Sequence, residues 1–298
     1  MRPDFLIVGA PKAGTTWLYR NLAANPRIFL TANKEPRYYS VEEGEAVACR
    51  GPGDDGWIAE FVRGRGEYEA LYAAAAADQV RGEASSDYLY RSAVAARRIR
   101  EEAPGARIVV LLRDPVDRAY SNWLHLVRDG HESLSFAAAL AAEPERIESG
   151  WAWWWHYAER GYYSRQLQPF LEHFPPEQLL LLTYDELRGD PRGVLARAST
   201  FLGVEAVVDG AVGESRNASL IPRSPLHRAA RRLLRPSRAA RVVLPRRLRD
   251  GIRRRLNRAT LHRPQIAPED YRRLQRRYAA DLGRLRAETG LDVSGWTA

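Results

Sequence analysis

A turn near the start of the sequence combines glycine, lysine and hydroxyl side chains at a spacing that suits an anion. The apolar residues Phe5–Val8 predict a short buried strand, and the helix that follows is predicted to begin at Thr15. A glycine-bearing turn ending at Gly14 aims backbone N–H groups at one point, with the positive end of the helix dipole behind them. Lys12 adds a mobile cation, and Thr16 adds a second hydroxyl to that of Thr15. The pattern predicts a site for phosphate or sulfate.

The spacing of this turn differs from that of a Walker-type loop, GxxxxGK[ST]. Gly9 and Gly14 have the right separation, but Thr15 stands at the lysine position and the lysine is at 12. A strand–helix turn with a chance lysine is the alternative. Lysine occurs only at 12 and 34 among 46 basic residues. In so arginine-biased a chain, Lys12 indicates a site that needs a compact ammonium group.

A second strand–turn–helix unit carries a cation at its strand tip. The run Arg107–Leu112 predicts a buried parallel strand that ends at Arg113, and a helix follows. Arg113, together with Ser121 on that helix, is a candidate for a second phosphate. The alternative is structural, with Arg113 paired to Asp114 or Asp117.

Glu35 is the candidate for acid–base chemistry. It follows a short extended segment, Phe29–Ala32, and Pro36 breaks regular structure just after it. Ligands of α/β sheets gather at the carboxyl ends of the strands, so Glu35 is predicted to face the Lys12 turn. An exposed ion pair between Lys34 and Glu35 is the alternative.

The order of predicted elements gives the fold class. Strands alternate with helices, which predicts an α/β protein with a central parallel sheet flanked by helices. We interpret residues 1–298 as a single domain with an arginine-rich insertion or subregion at about 216–263. Residues 41–66 are predicted to form a largely exposed loop. Predicted helices cover residues 15–24, 57–62, 67–77, 93–103, 116–125, 163–174, 192–202 and 268–289, and a further buried strand covers 178–183.

Aromatic residues are dense over 151–157, where four of the eight tryptophans occur together with a tyrosine. Such side chains can form core, or they can line a groove on which sugar or aromatic rings stack. Both interpretations remain open, and about half of these side chains are expected only to pack.

Charge is distributed unevenly along the 298 residues. The segment 216–263 contains sixteen arginines and one acid, a net charge of +15, so the remainder carries −6 of the overall +9. This asymmetry indicates an anionic partner: a nucleotide, a polyanionic glycan, nucleic acid or an anionic membrane surface.

Cysteine and histidine content exclude some classes of site. The single cysteine, Cys49, excludes an intrachain disulfide and a cysteine-built metal site, and it fits a reducing cytoplasm. The six histidines show no metal-ligand spacing. We expect no signal peptide and no membrane span, because the chain enters a strand at once and lacks a run of about 18 apolar residues. The expected location is cytoplasmic.

Taken together, these segments resemble sulfotransferases that use 3′-phosphoadenylyl sulfate (PAPS), and most of all the glycan O-sulfotransferase branch that includes the heparan sulfate enzymes. Residues 11–17 (PKAGTTW) are similar to the family's 5′-phosphosulfate loop, and 113–121 (RDPVDRAYS) with His125 to its 3′-phosphate motif. Residues 33–39 (NKEPRYY) resemble the segment that carries the catalytic glutamate. Further similar segments are 161–167 and 289–296, and the likeness covers residues 5 to about 205 and resumes near 268.

The resemblance implies a P-loop-kinase-like fold with three α/β/α layers, and a role for each matching residue. Glu35 is implied as general base, and Lys12 as the cation that stabilises the leaving phosphate. Arg113 and Ser121 are implied to hold the 3′-phosphate. The implied ligands of the 5′-phosphosulfate are Lys12, Ala13, Gly14, Thr15, Thr16 and Trp17. PAPS is the implied cofactor, adenosine 3′,5′-bisphosphate (PAP) the product, and no metal is implied.

The sequence departs from the family pattern in two places. Family members usually have lysine after the glutamate that matches Glu83, whereas this chain has Ala84. One cation is therefore missing or supplied from elsewhere. The arginine-rich segment also fits the family's cofactor-closing loop poorly, although Arg216 and Arg223 are candidates for a clamp on the 3′-phosphate.

Two other functions compete with sulfuryl transfer, and the acceptor is open. A P-loop nucleotide kinase or NTPase would need lysine after Gly14 and an acid placed for Mg²⁺. A basic nucleic-acid- or membrane-surface-binding protein would act through residues 216–263. For a sulfotransferase we expect a small-molecule or glycan hydroxyl acceptor and no nucleic acid. Arginines at the rim favour an anionic acceptor, and the tryptophans favour a sugar or an aromatic compound. Contact with an anionic membrane through 216–263 is left open.

Overall fold

A computed structural model of the chain describes residues 1–45, 47, 49–207, 221–222, 261–262 and 264–296. Its central sheet consists of β1 (Phe5–Gly9), β2 (Ile28–Leu30), β3 (Val80–Ala84), β4 (Arg107–Leu112) and β5 (Leu179–Thr183). The five strands are parallel and lie in the order β2–β3–β1–β4–β5. The carboxyl ends of the predicted strands therefore meet at one edge, as the sequence indicates.

The centre of the sheet is held by continuous apolar runs. All residues of β1 are buried, and Leu6 lies between Glu83 of β3 and Ile108 of β4. Phe5 packs its ring on Gly82, where an added Cβ would lie 2.3 Å from the ring. This close approach fixes the register of β1 against β3, since a larger residue at 82 would push the two strands apart.

The helices that flank the sheet form two groups, and the helices within each group pack against one another. The sheet and the two groups make up the three-layer α/β/α architecture. The helices are α1 (Thr15–Leu22), α2 (Asp54–Ile58), α3 (Arg65–Ala70), α4 (Ser92–Glu102), α5 (Pro115–Asp129), α6 (Phe136–Glu148), α7 (Tyr163–His173), α8 (Tyr184–Gly189), α9 (Pro191–Leu202) and α10 (Pro268–Thr289). Helix α7 packs against α4 and α10, and α5 also packs against α10. Helix α9 packs against α1 and α8. The set of elements confirms the α/β fold class predicted from the sequence.

Helix α5 follows directly after the second predicted strand tip, Arg113. Asp114 caps it, since the carboxylate accepts from the N–H groups of Val116 and Asp117 at 2.8 and 3.0 Å. Pro115 occupies the first helical position, and Gly130 ends the helix with a φ of 79°. The helix thus runs four residues beyond the predicted end at His125.

The region 41–66 was predicted wrongly in part. The helix expected over 57–62 is observed at Asp54–Ile58, because Gly53 with a φ of 84° starts it and two aspartates occupy its first turn. The segment is also less exposed than expected, since the Asp54 side chain is fully buried and Phe61 and Val62 are buried in apolar surroundings. Helix α3 ends at Ala70, short of the predicted 77.

Two further segments complete the described chain. Strands β6 (Ile221–Pro222) and β7 (Leu261–His262) pair antiparallel. The rest of the arginine-rich segment, with Arg216 and Arg223, lies outside the described residues. Across the described residues, none of the helices combines the length and apolar character needed to span a bilayer.

Candidate active site

A cleft of about 910 Å³ opens at the carboxyl edge of the sheet and gathers most of the predicted site residues. Those that line it are Lys12, Gly14, Thr15, Thr16, Trp17, Glu35, Arg113 and Ser121. Ala13 does not line it: the residue is fully buried, and its N–H donates to the carbonyl of Ala10. The tips of β1 and β4 and the loop after β2 therefore meet at one cavity.

The turn after β1 presents the start of α1 to this cleft. Gly14 precedes the helix with a φ of 102° and has no side chain to cap it. An added Cβ at Gly14 would lie 2.6 Å from a methyl carbon of Leu187, so glycine is needed for both conformation and space. The first N–H groups of a helix have no intrahelical acceptor. Here they lie beside the hydroxyl side chains of Thr15 and Thr16, which supplies the anion-binding geometry that the sequence predicts.

Lys12 lies in a crowded cationic environment. Burial, together with the charges of Arg128 and Arg113, lowers the pKa of Lys12 to about 8, while Asp129 opposes them. Its backbone carbonyl accepts from Nη1 of Arg113 at 3.1 Å, which ties the first strand tip to the second. Among the described residues, Lys12 has no carboxylate within ion-pair distance. An anion entering the cleft would therefore relieve repulsion and recover protonation of this amine.

Arg113 is buried and held from several sides. Its Nη2 donates to Asp117 at 2.8 Å, so the structural pairing considered from the sequence is present for Asp117, whereas Asp114 caps α5 instead. The Tyr163 hydroxyl donates to its carbonyl at 2.8 Å, and the guanidinium lies 4.8 Å from the centre of the Tyr184 ring. Nε of Arg113 is buried and makes no hydrogen bond within the described chain. A fixed guanidinium with a donor to spare suits a phosphate oxygen.

Ser121, His125 and Arg128 follow Arg113 along successive turns of α5 and line the same wall. Burial, together with the charge of Lys12, lowers the pKa of His125 to about 4. The neutral imidazole accepts from Nη2 of Arg128 through Nδ1, and Nε of Arg128 donates to Asp129 at 2.8 Å. Arg128 is a lining cation that the sequence reasoning missed, although its helical spacing from Ser121 places it on the same face.

Glu35 faces the cleft with a fixed carboxylate. Its backbone has a φ of 67°, and its N–H donates to the carbonyl of Ala84 at 2.8 Å. The carboxylate accepts from the N–H and the hydroxyl of Ser86 at 2.9 and 3.0 Å and from Lys34 at 2.6 Å. The ion pair of the alternative is thus present, although it is not a surface pair, since the Lys34 and Glu35 side chains are only 22% and 18% exposed. Ala84 itself is fully buried, so it supplies only the backbone that positions Glu35.

A second carboxylate, Glu83, lies fully buried beneath this loop. It accepts from the hydroxyl groups of Tyr88, Ser85 and Tyr68 at 2.6, 2.9 and 3.2 Å. Burial raises the pKa of Glu83 to about 7 in spite of these donors. The Ser85 oxygen also accepts from the N–H of Arg37 at 3.0 Å, so this buried cluster supports the loop that carries Glu35.

Beyond Glu35 the cleft is lined by a compensated charge network that the sequence did not reveal. Asp87 accepts from Nη2 of Arg160 at 2.6 Å and from Nε of Arg37 at 2.9 Å. Nη1 of Arg37 also lies 3.4 Å from Glu60 at the rim. Asp87 follows β3 at the carboxyl edge, which is a signal for a site residue. Its partners lie far away in the sequence, so no local pattern connects them.

The tryptophan-rich segment divides between core and cleft. Trp153 and Trp155 are buried, whereas Trp154 lines the cleft beside Trp57. The carboxylate of Asp54 fixes this segment, since Oδ1 accepts from the indole N–H groups of Trp154 and Trp155 at 2.6 and 3.0 Å. The core interpretation therefore holds for Trp153 and Trp155, while Trp154 lies where the groove interpretation requires, and ring stacking on it stays a prediction.

Metal-ligating side chains do not converge anywhere in the part of the chain that the structure describes, since no group of three or more His, Cys, Asp or Glu is placed to hold an ion. The polar groups that line the cleft are cations, N–H groups, hydroxyl groups and carboxylates.

Comparison with known proteins agrees with this geometry. The family model "Sulfotransferase domain" matches residues 2–218. A crystal structure of a sulfotransferase from Alicyclobacillus acidocaldarius superimposes with a TM-score of 0.79 at 30% identity and covers 100% of both chains. The sequence is 31% identical over 209 residues to human bifunctional heparan sulfate N-deacetylase/N-sulfotransferase 3, which covers 68% of this chain and 22% of that protein.

A mouse relative, heparan sulfate glucosamine 3-O-sulfotransferase 3B1, is 26% identical over 211 residues, 69% of this chain and 47% of its own length. The chain thus spans about a fifth to a half of the length of these relatives. The family model covers well over half of the chain, and the resemblance noted in the cofactor-loop segments agrees with it. The chain therefore belongs to the sulfotransferase family, as the sequence predicts.

Proposed function

We propose that the chain transfers the sulfuryl group of PAPS to a hydroxyl group of a carbohydrate, with Glu35 as general base and Lys12 as the cation at the leaving phosphate. The observation that carries this proposal is the meeting of a helix-start anion site and a fixed carboxylate in one cleft. Family membership supports the reaction class, and this geometry supports the roles.

The cleft fits the two anionic ends of the donor. Lys12, Thr15 and Thr16 with the adjoining N–H groups would hold the 5′-phosphosulfate at the start of α1. Arg113 and Ser121 would hold the 3′-phosphate, and their position on one wall of the cleft supports this assignment. The bound donor supplies a sulfuryl group activated by its link to phosphate.

The residues of the cleft match the needs of an in-line displacement. The acceptor oxygen forms a bond to sulfur while the bond from sulfur to the phosphate oxygen breaks, and the acceptor proton passes to the Glu35 carboxylate. Ser86 and Lys34 hold that carboxylate in place. Negative charge grows on the leaving oxygen, where Lys12 and the N–H groups of the turn stabilise it without reorganisation.

A carbohydrate acceptor is supported by two independent lines. The relatives named above are heparan sulfate sulfotransferases. Trp57 and Trp154 add flat apolar surfaces beyond Glu35 of the kind on which sugar rings stack.

Calorimetry with PAP tests the donor assignment. The protein should bind PAP in the presence of EDTA and should not bind ATP with Mg²⁺ at comparable concentrations. Labelled PAPS offered with a panel of glycans, lipids and phenols should then label the glycans. Mg²⁺-dependent ATP binding without PAP binding would instead support the nucleotide kinase or NTPase alternative, which the threonine at 15 argues against.

A further inference from the structure

Glu83 is a fully buried carboxylate that the proposed reaction does not use. It lies in β3 opposite Leu6 of β1, three residues before Ser86, which lines the cleft. Its hydrogen-bond partners are three hydroxyl groups, and no cation of the described chain lies within ion-pair distance of it. Burying a carboxylate without a counter-ion is costly, so its place in the central sheet points to a role beyond packing.

The hydroxyl group of Ser85 links Glu83 to the loop that carries Glu35. This hydroxyl donates to Oε2 of Glu83 at 2.9 Å, and its oxygen accepts from the N–H of Arg37 at 3.0 Å. An ionised carboxylate can only accept hydrogen bonds, so it fixes the direction of the Ser85 hydrogen and leaves the oxygen lone pairs for Arg37. The backbone of Arg37 has a φ of 57°, a conformation that persists only where the surroundings enforce it.

The same two segments are joined again at Glu35 itself. The N–H of Glu35 donates to the carbonyl of Ala84 at 2.8 Å. The N–H and the hydroxyl of Ser86 donate to the Glu35 carboxylate at 2.9 and 3.0 Å. Residues 83–86 therefore hold residues 35–37 through a continuous series of hydrogen bonds.

For the proposed reaction the cleft has two halves, one on each side of Glu35. The donor half is lined by Lys12, Arg113 and Arg128, and the acceptor half by Arg37, Asp87 and Arg160. A general base must lie within about 2.6–3.2 Å of the atom that carries the proton it takes. Displacement of the Glu35 loop would therefore lower turnover without weakening the binding of the nucleotide in the donor half.

From these contacts we infer that Glu83 is a positioning residue: in its ionised form it orients the Ser85 hydroxyl and, through Arg37, fixes the loop that presents Glu35 to the acceptor. The inference rests on the proposed function, because Glu83 acts only through the Glu35 base. Protonation of Glu83 would undo the arrangement. A protonated Oε2 donates to the Ser85 oxygen, and the Ser85 hydrogen then loses its acceptor.

The charge of Glu83 changes within the pH range of an ordinary assay. Burial raises the pKa of Glu83 to about 7, although its three hydroxyl partners favour the ionised form. The other titratable groups that face it within the described chain are Glu35, Tyr19, Tyr39, Tyr68, Tyr72 and Tyr88. Burial and nearby carboxylates raise the pKa of each of these tyrosines, so all of them stay neutral near pH 7. Glu83 is thus ionised above about pH 7 and protonated below it.

Glu83→Gln tests the inference, because the amide keeps the shape of the protonated acid and cannot ionise. Transfer from saturating labelled PAPS is measured from pH 5.5 to 8.5. The acceptor probes are 4-nitrophenyl glucoside, a neutral glycoside, and the corresponding uronide, 4-nitrophenyl glucuronide. The kcat ratio of the original chain to Glu83→Gln should be about 2- to 12-fold at pH 8.5, the worth of one hydrogen bond, and should fall towards 1 at pH 5.5. PAP affinity and the KM of the acceptor should not change.

Two further variants test the same link and serve if Glu83→Gln does not fold. Ser85→Ala removes the link and should lower kcat at pH 8.5 by a similar factor. Tyr68→Phe is the matched control, since it removes a donor to Glu83 at 3.2 Å and leaves the Ser85 link intact. Because that hydroxyl favours the ionised form, its loss should move the fall in kcat to higher pH. Thermal unfolding of each variant is compared with that of the original chain.

The outcomes separate this inference from the proposed function. A kcat ratio that does not vary with pH, or an unchanged kcat in folded Ser85→Ala, overturns the positioning role and leaves sulfuryl transfer standing. A matching loss of PAP affinity in Glu83→Gln also overturns it, because the effect would then not act through the Glu35 loop. Absence of transfer to either probe by the original chain counts against the proposed function, and the inference fails with it.

Discussion

The two halves of the cleft differ in how completely their cations are paired with carboxylates. At the donor half, Lys12, Arg113 and Arg128 crowd together, and burial with mutual repulsion lowers the pKa of Lys12 to about 8. At the acceptor half, Asp87 neutralises Arg37 and Arg160 at 2.9 and 2.6 Å. In the donor half Arg113 and Arg128 are paired with Asp117 and Asp129, each at 2.8 Å, whereas Lys12 has no carboxylate partner among the described residues.

Strained backbone conformations occur in both halves of the cleft. The non-glycine residues with positive φ in the described chain are Lys12, Glu35 and Arg37, and all of them line the cleft. Such conformations cost about 1–3 kcal/mol each and persist only where the surroundings enforce them. The strain places an ammonium group, a carboxylate and a guanidinium at the points where donor and acceptor would meet.

Glu35→Gln should give the largest effect. The variant keeps the shape of the side chain but removes the base, so kcat should fall by about 10²–10⁴-fold. PAP affinity should change little, because the donor half is untouched. Steady-state transfer and PAP calorimetry measure the two quantities. Glu60→Gln, at the rim of the same cleft, is the matched control and should retain most of the turnover. Full activity in Glu35→Gln would remove Glu35 from the chemistry.

The two lysines allow a direct comparison of the halves. Lys12→Ala should lower kcat by about 10²–10³-fold, the usual loss when one group that stabilises developing charge is removed. It should also weaken PAP binding. Lys34→Ala should leave PAP affinity unchanged, since the Lys34 charge is balanced by Glu35 at 2.6 Å. Equal losses of PAP affinity in the two variants would contradict the division of the cleft.

Arg113→Lys should show how much of the affinity for PAP depends on its 3′-phosphate. A charge-assisted hydrogen bond is worth about 1.5–3 kcal/mol, so PAP affinity should fall by about 10- to 150-fold. Affinity for adenosine 5′-phosphate, which lacks the 3′-phosphate, should change much less. Because Arg113 is buried and paired with Asp117, the variant's thermal unfolding is measured beside its binding. A similar loss for both nucleotides in a folded variant would place the 3′-phosphate elsewhere.

The strands and the anion-binding turn were accessible from the sequence because their signals are local. The apolar runs of β1, β4 and β5 were predicted to within a residue or two, since strands buried on both faces show as continuous apolar runs. The turn from Gly9 to Gly14 was recognisable from its glycine spacing together with Lys12, Thr15 and Thr16. The extent of α2 was misread because Trp57 suggested a start that Gly53 and Asp54 actually set.

Pairings across the chain could not be read from the sequence. Asp87 meets Arg37 and Arg160 through hydrogen bonds between residues 50 and 73 positions apart, and nothing in the local sequence signals such contacts. The hydrogen bond from Trp154 to Asp54 also joins residues that are far apart in the sequence, 100 positions from each other. The anionic acceptor favoured by arginine content stays a prediction, because composition counts charges but cannot show which are already paired.

The pH dependence of PAP binding probes the donor half without mutation. Lys12 is protonated below its pKa, lowered to about 8 in the free protein, and an anion should raise that pKa in the complex. Affinity should therefore be constant at lower pH and weaken by about fivefold between pH 8 and 9, where binding requires uptake of a proton. Calorimetry in buffers of different ionisation enthalpy detects that proton. Lys12→Arg, charged throughout this range, should lose the dependence. If its profile matches that of the original chain, another group is responsible.

Glu60→Gln should give the smallest effect and acts on the acceptor half alone. Glu60 is 68% exposed and lies 3.4 Å from Arg37, so its removal leaves the acceptor half with one uncompensated positive charge and little risk to folding. An exposed ion pair is worth about 0.2–1 kcal/mol, so the kcat/KM ratio of a uronide to its neutral glycoside should rise by about 1.4- to 5-fold at low salt. The increase should fade at high salt, because exposed charges are screened. Glu101→Gln removes a comparably exposed carboxylate, paired with Arg97 and outside the cleft, and should leave the ratio unchanged. An equal change in both variants would mean that overall charge, and not the paired network around Asp87, decides which acceptor enters.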